Sequence, residues 1–406
     1  MEKAGGKAYG IWFIGSLFYL YELFVRVIPS LLGQVPNSPV AELSLTQMST
    51  VMSLYYMIYS PMQLFVGPLF DTFGGRKLLV GNCLLLALAC LLPLIPTGVL
   101  FFLGAGRFAM GFASAFGFVG VMYLCTTWFP QNKWAMLSGL TTMLGMFGSI
   151  GSQNGFAYLN TGYRNIWLTA CGFGIIVTLL LCVFVPKDTH LAPRDKKLWR
   201  ELGGRLWEIA KKPGAWAAGI MTGALLMPFA TFADLWSIPY FTNVCHFTTL
   251  EAAQLVSFLN LSWAISCPIM GWISDTVRSC KKPMVFGGIA AAVLFTVFLV
   301  TGEASFGTMV CLMVLLGICC GVQVIGFVGV ANLNSSSLGA SSVSFCNALC
   351  MILCGLGQPL VGWMIDNFKE AHLLSEAYRS GLSIVTVMIV LATVLFGLVY
   401  KEKRLA

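Results

Sequence analysis

Long apolar stretches separated by short polar turns occupy nearly the whole chain. A membrane-spanning helix needs about 20 consecutive, predominantly apolar residues, and twelve stretches satisfy this requirement. They cover residues 9–33, 46–70, 76–96, 98–127, 131–157, 163–185, 214–243, 250–274, 283–302, 305–333, 339–366 and 373–400. The pattern predicts an all-α membrane protein with a six-helix bundle at 1–185, a linker at 186–213 and a second six-helix bundle at 214–406.

Two copies of a short polar motif link the bundles to each other. The first copy is GPLFDTFGGRK, from Gly67 to Lys77, and the second is GWISDTVRSCK, from Gly271 to Lys281. A shift of 204 residues, about half of the 406-residue chain, superposes them, and it pairs Gly with Gly, Asp with Asp and Lys with Lys. Each copy lies between two apolar stretches, so it belongs in a turn at the membrane–water interface. The repeat indicates two bundles related by an internal duplication.

The first copy resembles the signature loop of the major facilitator superfamily, Gly-x-Leu-x-Asp-Arg-x-Gly-Arg-Lys, which follows the second helix of each half. Gly67, Leu69, Asp71 and Gly74 match position by position, and Arg76 and Lys77 match one residue later, after the additional Gly75, whereas Thr72 stands where an Arg is usual. The second copy keeps Gly271, Asp275 and Lys281 and lacks the later Gly. The resemblance extends over essentially the whole chain and implies two pseudo-symmetric six-helix bundles. It also implies that the two Asp loops act as inner latches in a transport cycle.

Composition and charge support a membrane protein with both termini inside. The chain is 58% hydrophobic and only 10% charged, against about 25% charged residues in soluble domains. Nineteen of the 24 Lys and Arg residues lie on one side of the predicted helices. Because cytoplasmic loops are enriched in Lys and Arg, that side is predicted to be cytoplasmic. The net charge of +8 therefore reports topology, and we expect no nucleic-acid partner.

The linker carries its own helical pattern. Leu198, Leu202, Leu206 and Ile209 share one helical face between Arg194 and Lys212. This spacing predicts an amphipathic helix on the inner surface with its basic side toward anionic lipid. A plain tether between the two bundles is the alternative interpretation.

Helix 1 places three polar residues on one face. Tyr19, Glu22 and Arg26 are spaced i, i+3, i+7. Ionisable groups at membrane depth are costly, so each is a candidate functional residue. We predict that Glu22 takes up a proton and that Tyr19 and Arg26 contact the substrate. The alternative is a Glu22–Arg26 pair that only neutralises itself.

Helix 4 contains a second buried arginine. Arg107 is predicted at a depth similar to that of Arg26, and two guanidinium groups suit a carboxylate or phosphate. Arg107 and Gly111 also resemble the fourth-helix Arg-x-x-x-Gly element of the superfamily, which is associated with proton coupling. The alternative is an Arg107 that binds backbone carbonyls of a neighbouring helix.

Helix 7 contains Asp234 between Pro228 and Pro239. The two prolines predict a discontinuous helix, which in transporters lines a gate. Asp234 could carry a proton, pair with a cation or cap the broken helix.

Several neutral polar residues lie deep in predicted helices. Tyr59, Asn260, Asn347 and Gln358 are candidate substrate contacts. Such residues also hydrogen-bond neighbouring helices together, which is the alternative role for each of them.

No catalytic, metal or cofactor site is expected. The chain has no Gly-x-x-x-x-Gly-Lys loop, so we do not expect ATP hydrolysis to drive the function of this protein directly. Cys346, Cys350 and Cys354 share a helical face and are interpreted as packing residues. Helix 5 has four spaced glycines, Gly145, Gly148, Gly151 and Gly155, which indicate close packing against a partner. It lacks the Gly-x-x-x-Gly-Pro pattern of drug–proton antiporters, which makes an exporter less favoured.

Three further segments resemble the phagosomal nutrient transporters of intracellular bacteria, namely YELFVRVIPSLL, FADLWSIPYF and GQPLVGWMID. The resemblance implies a monomeric, proton-coupled importer of an amino acid, nucleoside or organic acid in the bacterial inner membrane. Uptake of a carboxylate siderophore, export of a metabolite, and a non-transporting receptor or assembly protein remain alternatives.

Overall fold

The structure is a computed structural model. It describes residues 5–35, 38–130, 133–187, 196–302, 304–335, 338–369 and 373–402. In this part of the chain every regular element is a helix.

The first six predicted spans each correspond to one or two helices. They are α1 (Gly6–Arg26) with α2 (Pro29–Leu32), α3 (Leu45–Met62) with α4 (Val66–Phe73), α5 (Gly75–Ala89), α6 (Val99–Ser114) with α7 (Phe116–Trp128), α8 (Trp134–Tyr158) and α9 (Tyr163–Phe184). The linker forms α10 (Lys196–Ala210).

The last six predicted spans follow the same plan. They are α11 (Pro213–Met227) with a π-helix (Pro228–Trp236) and α12 (Ser237–Asn243), α13 (Thr249–Val277), α14 (Lys281–Thr301), α15 (Phe306–Cys320) with α16 (Gln323–Asn332), α17 (Gly339–Phe368) and α18 (Leu374–Val399). The predicted break in helix 7 is therefore a change of helical register at Pro228, with no gap in the helix.

Ten of these helical segments, counted over the described residues, are long and apolar enough to cross a membrane. The predicted spans 46–70 and 131–157 are helical as α3–α4 and α8 but are not among the ten. The all-α class with about twelve membrane helices is confirmed, and the protein is a multi-pass integral membrane protein.

The chain divides into two compact units. One comprises Met1–Ala41 and Met57–Trp199, and the other comprises Glu42–Tyr56 and Arg200–Ala406. The first three turns of α3 thus group with the second unit. The division at 1–185, 186–213 and 214–406 stays a prediction.

In the first unit, α1 packs closely against α8. A Cβ added at Gly148 would overlap the backbone carbonyl of Leu20, and one added at Gly145 would overlap Tyr19. By contrast, a Cβ at Gly151 would meet no described heavy atom within 4 Å. The close packing predicted for the glycines of helix 5 is therefore confirmed for Gly145 and Gly148 only.

In the second unit, α11 packs against α17 through the predicted cysteine face. The Cys350 thiol donates to the Gly219 carbonyl and the Cys354 thiol to the Gly223 carbonyl, both at 3.7 Å. Cys346, Cys350 and Cys354 are all fully buried. These thiols pack as small apolar side chains, as the sequence predicts.

Local chemistry explains where individual helices begin and end. Thr248 and Glu251 form a capping box that starts α13. Gly74 separates α4 from α5 at φ +84°, a conformation that glycine adopts without steric cost. Arg278 ends α13 in the left-handed region at φ +50°.

The side chains of Leu198 and Leu202, on the predicted apolar face of the linker helix α10, lie outside the described part of the structure, so its amphipathic character stays a prediction. Ile209 is buried, whereas Trp207 is 65% exposed with the Lys211 ammonium 5.6 Å from its ring centre. Lys212 then donates to the Leu333 carbonyl and to Asn334 Oδ1, which fixes the end of the linker to the second unit.

Candidate functional site

The Glu22 carboxyl group is fully buried in the first unit. It lies against α7, where a Cβ added at Gly117 would overlap Glu22 Oε2. A larger residue at this position would displace the carboxyl group from where it lies. The charges of Glu22 and Arg26 both act on the Tyr19 hydroxyl, so the three predicted residues lie near one another on α1. Tyr19 and Arg26 are half-buried.

Arg107 is only 1% exposed and belongs to α6. It is close enough to Cys90, at the end of α5, for its charge to act on that thiol. The helices approach closely here, since a Cβ at Gly106 would lie 3.3 Å from the Ala89 carbonyl. Arg107 therefore lies beside the end of α5, and the predicted convergence of Arg26 and Arg107 on one ligand stays a prediction.

Asp234 lies in the second unit, inside the π-helix. It is 8% exposed, and Tyr56 donates its hydroxyl hydrogen to Asp234 Oδ2. Since Asp234 is the seventh residue of the segment that begins at Pro228, it does not occupy a helix N-cap. The capping role considered from the sequence is therefore wrong, whereas the roles in proton or cation binding stay predictions.

The predicted neutral contacts differ in burial. Tyr59 is 6% exposed, Asn260 is 5% exposed and Gln358 is 2% exposed, while Asn347 is half-buried. Gln358 donates its amide hydrogen to the Ala230 carbonyl of the π-helix at 2.8 Å. This bond between helices is the structural role that the sequence left open for such residues.

The first signature loop is tied to the last helix of its own unit. Arg76 donates to the Cys182 carbonyl near the end of α9. Lys77 is exposed, and Gly74 supplies the left-handed turn. The side chain of Asp71 lies outside the described part of the structure, so its predicted latch role stays a prediction.

The second signature loop is tied to the chain end of the second unit. The Glu402 carboxylate accepts from the backbone N–H groups of Cys280 and Lys281 and from the Ser279 hydroxyl at 2.9 Å. Asp275 itself is exposed. Both loops are therefore held by contacts within their own units.

The glycine four residues before the Asp of each loop predicts a close approach of two helices at that point, and the structure contradicts this prediction. A Cβ at Gly67 or Gly271 would meet no described heavy atom within 4 Å. Close helix packing therefore does not require either glycine in this structure, and the expectation of a close helix approach there is wrong.

Sequence reasoning missed three residues that organise these regions: Gly117, Glu402 and Asp366, whose carboxylate accepts from the backbone N–H groups of Leu45 and Thr46 at the start of α3. Each acts through a partner far away in sequence, so no local pattern identifies it. The helix start that Asp366 binds did carry a local signal, because Ser44 and Gln47 have the spacing of a capping box there.

Comparison with known proteins identifies the family. The model of the Major Facilitator Superfamily matches residues 9–341. The chain is 22% identical over 276 residues to the probable nitrate/nitrite transporter NarK2 of Mycobacterium tuberculosis. It is also 26% identical over 266 residues to the chloroplastic ascorbate transporter of Arabidopsis thaliana. These matches cover 65% and 60% of this chain and 66% and 48% of the two relatives.

Solved structures share the fold. A bacterial homologue of the human lysosomal transporter Spinster, inward-facing and unoccupied, aligns with a TM-score of 0.81 at 15% identity, over 97% of each chain. The nucleoside transporter NupG aligns with a TM-score of 0.76 at 14% identity, over 98% of this chain and 100% of that chain. The buried charges, the paired loops and the family match lead to one conclusion. The chain belongs to the Major Facilitator Superfamily.

Proposed function

We propose that this protein is a proton-coupled secondary transporter that imports a small anionic nutrient by alternating access. The observation that carries the proposal is the fully buried Glu22 carboxyl group, packed against Gly117 in an apolar bundle. A charged carboxylate at membrane depth is costly, which makes Glu22 a functional candidate by default. A proton on Glu22 removes that cost, so protonation and movement of the bundle are expected to be coupled.

The proposed cycle uses residues of helix 1 first. A proton that binds Glu22 weakens its attraction to Arg26 and leaves that guanidinium available to an anionic group of the cargo. Arg107 supplies a second positive charge. Tyr19, Tyr59, Asn260 and Asn347 are proposed as further cargo contacts, together with Gln358 through its oxygen. Asp234, which accepts from Tyr56, is the second proposed proton carrier.

The relatives support an anionic cargo. Those that match by sequence are named for nitrate and nitrite, phosphate and ascorbate, each of which exists as an anion at neutral pH. The chain spans two thirds or less of the length of these relatives, so their substrates serve here only as guides to charge. Amino acids and organic acids carry the carboxylate that the arginines would bind.

We further propose that the loops at Asp71 and Asp275 act as inner latches, together with Gly74, Arg76 and Lys77. Both termini would lie in the cytoplasm of a bacterium, with the chain in its inner membrane as a monomer. The phagosomal nutrient transporter group remains the proposed subgroup. The excess of Lys and Arg on one side of the predicted helices supports the orientation.

A ligand screen followed by an uptake assay tests the proposal. Purified protein is heated with millimolar amino acids, nucleosides and organic acids, because a bound cargo raises the melting temperature by mass action. Compounds that stabilise the protein are then radiolabelled and offered to proteoliposomes under an inwardly directed proton gradient. We expect accumulation of an anionic compound that collapses when a protonophore is added.

The outcomes distinguish the alternatives. Accumulation that needs an outwardly directed proton gradient would indicate an exporter. Accumulation that the protonophore does not change would remove the proton coupling and leave the transporter. No flux of any stabilising compound under either gradient would favour a receptor or assembly protein.

A further inference from the structure

The π-helix that contains Asp234 is unusually long. It runs over nine residues, Pro228–Trp236, whereas π-helices are mostly single-turn bulges and are frequent at functional sites. In a π-helix each N–H binds the carbonyl five residues before it. The residues that follow are therefore displaced by one position relative to an α-helix, a rotation of about 100° about the helix axis. The helical register decides in which direction Asp234 points.

Helix α17 contacts this segment through three hydrogen bonds. Gln358 Nε2 donates to the Ala230 carbonyl at 2.8 Å, and Trp236 Nε1 donates to the Gln358 carbonyl at 3.2 Å. The Thr231 hydroxyl donates to the Cys354 carbonyl, also at 3.2 Å. Gln358 takes part in two of the three, one near each end of the segment.

The bond to Ala230 is the one that bears on the register. Ala230 lies four residues before Asp234, so an α-helix would use its carbonyl to accept from the Asp234 N–H. In the π register this carbonyl accepts instead from the N–H five residues further on, and the Gln358 amide is a second donor to it. Gln358 favours the π register because it contacts both Ala230 and Trp236, and a change to an α-helix would rotate these two residues relative to each other by about 100°.

The orientation of the Gln358 amide is fixed by the same contact. Its nitrogen must face the Ala230 carbonyl, because two oxygens cannot form a hydrogen bond there. Gln358 Oε1 is buried and has no hydrogen-bond partner among the residues that the structure describes. Only the donor end of the amide is therefore engaged.

We propose that Gln358 is a positioning residue for Asp234: it holds the π register that places the Asp234 carboxylate against the Tyr56 hydroxyl. This inference rests on the proposed function, in which Asp234 is a proton carrier. Gln358 acts on that carrier through the backbone of helix 7. Its engaged Nε2 serves this role, whereas its Oε1 is the atom proposed above as a cargo contact.

A fluorine probe on Tyr56 tests the inference without any cargo. Tyr56 is replaced by 3-fluorotyrosine, and its ¹⁹F resonance is recorded in the parent. The same resonance in Asp234→Ala gives the chemical shift expected when the hydrogen bond from Tyr56 to Asp234 is absent. Gln358→Met removes the amide donor at similar chain length. We expect it to move the resonance at least half of the way toward that of Asp234→Ala.

Gln323→Met is the matched control, because Gln323 is also a buried glutamine of the second unit, with 4% exposure. We expect this variant to leave the resonance in place. An unchanged resonance in Gln358→Met would overturn the inference, and so would an equal shift in Gln323→Met.

Deuterium exchange of residues 228–236 provides a second measurement. Loss of one hydrogen bond should speed exchange there by about three- to tenfold in Gln358→Met, with no change in Gln323→Met. If Gln358→Met does not yield folded protein, Gln358→Asn takes its place, since its shorter side chain cannot reach Ala230. Unchanged exchange would contradict the inference. Neither readout involves transport, so failure of the proton proposal in uptake assays remains a separate result.

Discussion

Thr46 donates both its backbone N–H and its hydroxyl hydrogen to Asp366 Oδ2, at 2.6 Å in each case. Leu45 adds its backbone N–H to Asp366 Oδ1 at 3.3 Å. The Ser44 hydroxyl caps the next N–H group, that of Gln47. The backbone N–H groups in the first turn of α3 are thus bound jointly by its own capping residue and by a carboxylate of α17. A carboxylate is favourable there because the N-terminus of a helix carries a partial positive charge.

Asp366→Asn should destabilise this arrangement. The amide accepts through only one atom and carries no charge, so we expect the free energy of unfolding to fall by about 1–2 kcal/mol. The measurement is the melting temperature of the purified protein. Asp275→Asn, an exposed carboxylate of the same unit, is the control and should melt with the parent. Equal melting temperatures for the parent and Asp366→Asn would show that the bonds at Leu45 and Thr46 contribute no net stability.

Gly148→Ala tests the close contact between α1 and α8. Its new Cβ would overlap the Leu20 backbone carbonyl, which cannot rotate out of the way. Overpacking of this kind costs about 1–3 kcal/mol, so the melting temperature should fall. Gly151 lies three residues further along α8, where an added Cβ would meet no described atom within 4 Å, so Gly151→Ala should not change the melting temperature. The packing account fails if both variants melt alike.

Gly117→Ala tests the position of Glu22. The added methyl group would displace the carboxyl group while leaving every ionisable residue in the chain. Because misplacement of a reacting group by about 1 Å can cost up to 100-fold, we expect proton-driven uptake to fall by about tenfold or more. Gly139→Ala, in open space on α8, is the control. Parent-level uptake by Gly117→Ala would mean that Glu22 tolerates displacement and is not a positioned proton site.

Glu402→Gln tests the tie at the second signature loop. Burial raises the pKa of the Cys280 thiol, the Ser274 hydroxyl lowers it, and the Glu402 carboxylate raises it. Removal of that charge lowers the pKa and increases the thiolate fraction at pH 7.5. We therefore expect maleimide to label Cys280 about threefold faster. Peptide mass spectrometry separates Cys280 from the other cysteines.

The exposed linker residue Glu208 provides the control for this test. Glu208→Gln should leave the labelling of Cys280 unchanged. Labelling at the parent rate in Glu402→Gln would show that the chain end does not hold this loop.

Much of the fold could be predicted from the sequence, because the membrane spans, the linker and the loops each have a local pattern of apolar and polar residues. Apolar runs predicted each helical region, and the repeated Asp motif predicted two related halves. The breaks within spans were harder to find. Gln63–Phe65, Ala115 and Gly321–Val322 interrupt helices inside continuous apolar runs, where hydropathy does not change.

The candidate site was less predictable. Charge in an apolar run identified Glu22, Arg107 and Asp234, because a charge is conspicuous there. Their neighbours could not be found, since Gly117 and Tyr56 contact them across distances of 95 and 178 residues in the chain. A glycine that leaves space for a carboxyl group looks like any other helical glycine in the sequence.

The central claim is that Glu22 carries the proton that drives uptake. It is tested by accumulation of the screened cargo in proteoliposomes as a function of external pH, for the parent and Glu22→Gln. The account predicts that the parent accumulates cargo with acid outside. Glu22→Gln should still bind the cargo in the melting assay but should neither accumulate it nor respond to pH. Accumulation and pH dependence in Glu22→Gln equal to those of the parent would contradict it.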